Sequence, residues 1–150
     1  MTGAYFDVSY LAKLQWREPG TAEVEALAHT LPAIACSTHG RAEFAAVGHR
    51  KIREKAADLN QARSAFAQLE RDTTAGGILW LPLDRSIYAR VESFFLNDPG
   101  TVFLRASDAL HLACAAKHGY TEVYSNDRHF LTAASLFGLK GINVIGSDTP

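Results

Sequence analysis

Hydrophobic residues fall along this chain in two alternating patterns. Short runs rich in β-branched or aromatic residues, bounded by Gly, Pro, Ser or Asn, mark strands at 4–7, 33–36, 78–81, 122–125 and 143–145. Between them, apolar positions return every three to four residues, the period of a helix with one buried face. Val24, Leu27 and Ala28 make one such stripe within 21–30, and Leu59, Ala62, Phe66 and Leu69 make another within 58–74. Further helices are expected from Ser9 through Trp16 and over 39–54, 84–96, 107–118 and 128–137. The stops are chemical. Glu18-Pro19-Gly20, Ala75-Gly76-Gly77 and Asn97-Asp98-Pro99-Gly100 cannot continue a helix, and Gly119 and Gly138 end the last two. Ser9 is the expected cap of the first helix.

Strands alternating with helices give an α/β fold, a mainly parallel five-stranded sheet flanked by helices. Right-handed crossovers would bring the ends of the first and fourth strands to one edge. The chain has 150 residues, enough for one domain with an ordinary core, and it shows no repeat, low-complexity run or linker. One domain over 1–150 is the expectation.

Composition narrows the partners. Lys and Arg total 15 against 16 for Asp and Glu, so no global charge declares a nucleic acid; binding of one must come from local patches and bound metal. The one dense basic segment is His49-Arg50-Lys51-Ile52-Arg53-Glu54-Lys55, at a helix end where cations suit the dipole in any case. Cys36 and Cys114 lie alone in apolar surroundings, as expected of buried thiols in a reducing compartment. No secretory leader and no apolar run of about 20 residues is present, so the expected location is the cytoplasm, with no membrane partner.

Four acids change the picture. Asp7 and Asp127 follow strand-like runs, whereas Glu43 and Asp108 stand near the start of helical ones. In a parallel sheet, ligands bind beyond the carboxyl ends of the strands. Carboxylates gathered there repel one another unless a cation is shared. Oxygen-only ligands select hard cations, Mg²⁺ or Mn²⁺ rather than zinc. Each acid has a plainer role beside this one: Asp7, Asp108 and Asp127 suit helix starts, and Glu43 suits a solvated helix face. Ser9, free to cap, would release Asp7. Ser125 offers a hydroxyl at the same edge. Arg41, Arg105 and Arg128, each within a few residues of a candidate ligand, are the candidate nucleic-acid contacts; Arg41 is equally a partner for Glu43. His111, one turn from Asp108, fits a packed supporting residue better than a ligand.

Taken together, strand–Asp–x–Ser–helix, Arg-x-Glu on a helix, Ser-Asp-Ala-Leu-His-Leu-Ala and Ser-Asn-Asp-Arg-His-Phe resemble the PIN-domain nucleases. Among these the chain looks most like the VapC-type toxins of bacterial toxin–antitoxin pairs. The likeness runs from Tyr5 to about Val144 and includes Leu11, Lys13 and Glu18-Pro19-Gly20. It implies that Asp7, Glu43, Asp108 and Asp127 are the catalytic, metal-binding quartet, with Ser9 and Ser125 as supporting hydroxyls. It further implies an Mg²⁺- or Mn²⁺-dependent endoribonuclease whose products carry 5′-phosphate and 3′-hydroxyl ends. The implied partners are an RNA substrate, a small cognate antitoxin and a second copy of the chain. Trp16, Phe94 and Phe95 are the apolar residues expected at such interfaces. Val8 departs from the pattern, standing where a small hydroxyl residue is frequent.

Two other readings compete. Haloacid-dehalogenase-type phosphotransfer enzymes also place an Asp after the first strand, but they need a second acid two residues on, where this chain has Ser9. A non-catalytic α/β interaction module with helix-capping acids needs four coincidences of placement.

Overall fold

The computed structural model describes residues 3–146. Five strands, β1 (Ala4–Phe6), β2 (Ile34–Ser37), β3 (Ile78–Leu81), β4 (Glu122–Tyr124) and β5 (Lys140–Ile142), form one sheet in the order β3-β2-β1-β4-β5. Every neighbouring pair is parallel. The connections are α1 (Val8–Gln15), α2 (Thr21–Ala28), α3 (His39–Arg53), α4 (Leu59–Thr74), α5 (Arg85–Asn97), α6 (Ala106–Lys117) and α7 (Arg128–Ala133), the last continued by a 3-10 turn over Ala134–Phe137.

The central strand is buried on both faces, and its side chains alternate between two cores as strand geometry requires. Ala4 and Phe6 join Leu11, Phe44, Leu69 and Ile78 beneath α1, α3 and α4. Tyr5 points the other way, into Val123, Leu112, Phe130 and Phe137 beneath α5, α6 and α7. From β1 the chain builds outward through β2 and β3, then returns to the opposite side of β1 for β4 and β5. That reversal opens a crevice beyond the carboxyl ends of β1 and β4. Phe6 pairs with Tyr124, and the Asp7 N–H donates to the Tyr124 carbonyl at 3.1 Å, so Asp7 and Ser125 leave the sheet side by side.

Two expectations need correction. The last strand is Lys140–Ile142, not 143–145. Gly141 sits there because a Cβ would lie 2.8 Å from the Leu131 carbonyl oxygen; α7 packs too closely for any side chain. The β-branched residues beyond it serve a different end. Tyr10 donates its hydroxyl to Asn143 Oδ1 at 2.7 Å, and the Val144 N–H donates back to that hydroxyl at 2.7 Å. The first helix also begins earlier than Ser9: Asp7 is its N-cap, accepting from the Tyr10 N–H at 3.3 Å. The expected glycine stops hold, and α4 has a cap not expected from the sequence. Asp58 and Gln61 form a reciprocal capping box on α4, and Gly20, Gly76, Gly119 and Gly138 all adopt positive φ. Both cysteines are buried and free. Among the described residues, no helix is long and apolar enough to cross a membrane.

Gly40, in the first turn of α3, brings that helix onto β2. A Cβ at this position would collide with Cys36 Sγ and meet Trp80 and His111 at 3.5 Å. Gly40→Ala should therefore be destabilising although alanine is the better helix former. Overpacking costs about 1–3 kcal/mol, against about 1 kcal/mol gained in helix propensity. A net loss of up to about 2 kcal/mol in urea unfolding is expected; a more stable variant would show that α3 does not need this close approach.

Candidate active site

Asp7 lies at the floor of the crevice, 6% exposed. Its carboxylate accepts the Ser9 hydroxyl at 2.6 Å and the Ser125 hydroxyl at 2.5 Å, besides the Tyr10 N–H that makes it a cap. Ser125 in turn accepts the Asp127 N–H at 2.9 Å, joining the ends of β1 and β4 through one hydroxyl. No lysine or arginine pairs with Asp7 among the described residues. Burial pushes its pKa above the ordinary value, and the two serine hydroxyls only partly offset this.

Asp127 caps α7, accepting from the His129 N–H at 2.8 Å and the Phe130 N–H at 3.4 Å. Its other oxygen takes Arg105 at 3.2 Å. The same guanidinium reaches Asp108, 3.5 Å away, so Arg105 spans the mouth of the crevice between two acids. Being 68% exposed, it holds them weakly. Asp108, in the first turn of α6, is mostly shielded; desolvation pushes its pKa up, Arg105 draws it down, and Asp127 and Glu43 push it up again.

Glu43 is not paired with Arg41. Its partner is His111, whose Nε2 meets Glu43 Oε1 in a short contact. Burial works against protonation of His111, yet the neighbouring Cys36 sulfur and the Glu43 carboxylate outweigh it, holding the imidazole well above the usual histidine range. Arg41 points away: it pairs with Glu70 and lies over the Phe66 and Trp80 rings, 5.4 and 5.3 Å from their centroids. Residues two apart on a helix face different sides, so Arg41 stands away from Glu43. Arg128 is exposed beside Phe103 and His129, in a separate hollow flanking Asp127. The basic residues that do adjoin Glu43 are His49, Arg50 and Arg53, which with Arg105 line a groove of about 530 Å³. The signal was present in the sequence, because Arg50 follows Glu43 by seven residues and so shares its face. Lys51 belongs elsewhere, bonded to Glu18 at 2.9 Å over the Trp16 ring.

The structure thus gathers the four acids about one crevice without bringing them to a single point. Among the described residues, no three His, Cys, Asp or Glu side chains stand close enough to hold a metal ion as placed. Asp127 and Glu43 are turned toward their protein partners instead. The donor chemistry nonetheless suits a hard cation: all four side chains offer oxygen, and Asp7 is a buried carboxylate with no lysine or arginine paired to it among the described residues.

The PIN-domain profile matches residues 4–136, most of the chain, and the chain belongs to the PIN-domain family. Among curated proteins none matches. Solved structures share its fold at low identity. VapC20 of Mycobacterium tuberculosis, described as a sarcin-ricin-loop-cleaving toxin, is 17% identical with a TM-score of 0.68, over 87% of this chain and 94% of that one. VapBC-5 of the same organism, a member of a toxin–antitoxin family, is 19% identical with a TM-score of 0.62, over 95% and 99%. FitAcB of Neisseria gonorrhoeae is 18% identical with a TM-score of 0.60, over 94% and 97%.

The raised pKa of Asp7 has a measurable sign. The unfolded chain releases this proton near pH 3.9. The folded protein holds it longer, so stability contributed below that pH is lost as pH rises toward the raised value. In metal-free buffer, wild-type stability should fall relative to Asp7→Asn across that window, with a slope of at most about 1.4 kcal/mol per pH unit. Urea midpoints of both proteins between pH 4 and pH 7 measure it (the endpoints being roughly the ordinary carboxylate value and neutrality); parallel curves would show that Asp7 is not desolvated.

Proposed function

We propose that this protein is a metal-dependent endoribonuclease, the toxin of a toxin–antitoxin pair, acting through Asp7, Glu43, Asp108 and Asp127. The observation that carries the proposal is Asp7: a buried carboxylate unpaired with lysine or arginine among the described residues, at the sheet reversal of a PIN-domain chain, with three more acids around it. Mg²⁺ or Mn²⁺ held by these carboxylates would supply charge for a phosphodiester transition state and lower the pKa of a nearby water. The chain's own residues do the rest. Ser9 and Ser125 fix the orientation of Asp7, and the start of α7 fixes Asp127. Arg105, weakly held and exposed at the mouth, is free to turn to a phosphate, as are Arg50 and Arg53 along the groove. Such contacts would position the backbone without reading bases.

Asp7 and Asp127 as helix caps, and the absence of a closed ligand set, favour the non-catalytic interaction module as the second reading. One experiment separates the two. RNA cleavage is expected to require Mg²⁺ or Mn²⁺, to stop in EDTA, and to fall in Asp7→Asn and Asp108→Asn by more than the roughly 10–100-fold typical of supporting residues. Mg²⁺ should raise the melting temperature of wild type and much less that of either variant. Equal Mg²⁺ stabilisation of all three, with no cleavage by wild type, would establish the module instead.

The likeness to VapBC-5, a member of a toxin–antitoxin family, motivates a proposal on partners. We expect a homodimer and a small antitoxin presenting Arg or Lys to the crevice, where a cation would compensate Asp7. Of the apolar residues expected outside, Phe95 is 41% exposed and Leu96 beside it is 84% exposed, while Phe94 packs on Phe137 and Trp16 packs into the second core. Co-purification with the neighbouring gene product and light-scattering mass should show both assemblies; a monomer that binds no neighbour would refute this.

A further inference from the structure

Glu43 stands on α3, yet the groups that fix its carboxylate come from β2, β1 and α6. The Ser37 N–H donates to Tyr5 Oη at 3.0 Å, Tyr5 Oη lies 2.6 Å from His111 Nδ1, and His111 Nε2 meets Glu43 Oε1. Ser37 and Tyr5 are fully buried and His111 is 1% exposed. The start of this chain follows from the fold. β1 ends at Phe6 and turns into α1, so the Ser37 N–H has no ladder partner on that side and takes the tyrosine oxygen instead. Tyr5 Oη and His111 Nδ1 are hydrogen-bonded at 2.6 Å, with Ser37 Oγ 3.4 Å from the same nitrogen. Because a carboxylate only accepts, the contact between Nε2 and Glu43 Oε1 places a hydrogen on Nε2, aimed at the carboxylate. Cys36 Sγ at 4.0 Å and the His39 ring at 6.1 Å close the remaining sides of the imidazole.

We propose that His111, oriented by Tyr5, is a positioning residue for Glu43. Its Nε2–H holds Oε1, so that Oε2, which has no hydrogen bond among the described residues, stays available to the groove. A glutamate has three rotatable bonds and would otherwise sample the basic wall formed by Arg50 and Arg53. Its catalytic consequence rests on the nuclease reading above; its geometry does not.

Two measurements test this. In metal-free protein labelled with ¹⁵N-histidine, His111 is expected to carry a proton on Nε2, and its Nε2 shift should move in Glu43→Gln but not in Glu54→Gln. An unprotonated Nε2, or a shift indifferent to Glu43→Gln, overturns the proposal whether or not the protein is a nuclease. In RNA cleavage, His111→Phe should lose about 10–100-fold in kcat with KM unchanged. His111→Gln, whose amide N–H reaches the same place, should stay within a few-fold of wild type. Equal loss in both variants, or a loss confined to KM, overturns it. Should His111→Phe fail to fold, the glutamine variant and the nitrogen shifts still decide. A wild type that cleaves no RNA defeats the nuclease reading alone.

Discussion

Everything at the carboxyl edge of the sheet is arranged around a single electrostatic constraint, a carboxylate buried where two strands part. Moving an anion out of water without a partner cation is expensive, and hydroxyl and amide donors reduce that expense without removing it. Asp7 collects three such donors, and each belongs to a different structural task. The Tyr10 N–H starts α1, the Ser9 hydroxyl shapes its first turn, and the Ser125 hydroxyl ties β1 to β4. The acid is therefore at once a helix cap and a clasp between strands. It still leaves a net negative charge facing the crevice, which a bound cation or a basic side chain from a partner would neutralise.

Much of this was legible in the sequence, because it depends on local patterns. Strand runs near 4–7, 33–36, 78–81 and 122–125 announce themselves by β-branched and aromatic residues between breakers, and each lies within about one residue of the strand found. The fifth strand was hidden by Gly141. Strand preference penalises glycine, and only the approach of Leu131, 2.8 Å from a would-be Cβ, explains its presence. The 143–145 run looked better on composition, yet its polar and backbone groups are engaged with Tyr10 rather than with a strand. Tertiary packing overrode local preference in both cases.

The crevice was legible in its residues but not in its pairings. Arg41 is two residues from Glu43, and nearness in sequence made it the natural partner; the helix turns it to Glu70 and two aromatic rings. His111 is 68 residues away from Glu43, and no spacing rule joins them. Sequence placed His111 beside Asp108, one turn apart, whereas the fold gives it Tyr5 on one nitrogen and Glu43 on the other. Asp7 and Ser9 show a subtler exchange. Both can cap, and the choice fell to the residue whose backbone leaves the sheet first.

Arg105 gives the crevice a lip of a different character from its floor. The floor is assembled from largely buried groups that exchange hydrogen bonds across β1, β2, α3 and α6. The lip is one long side chain, 68% exposed, stretched between Asp108 and Asp127. At physiological salt the screening length is about 8 Å, so dissolved ions compete directly for both ends of that bridge. The entrance is thus compliant on a rigid base: ionic strength tunes how readily it opens, while the carboxylates beneath keep the positions that the sheet gave them.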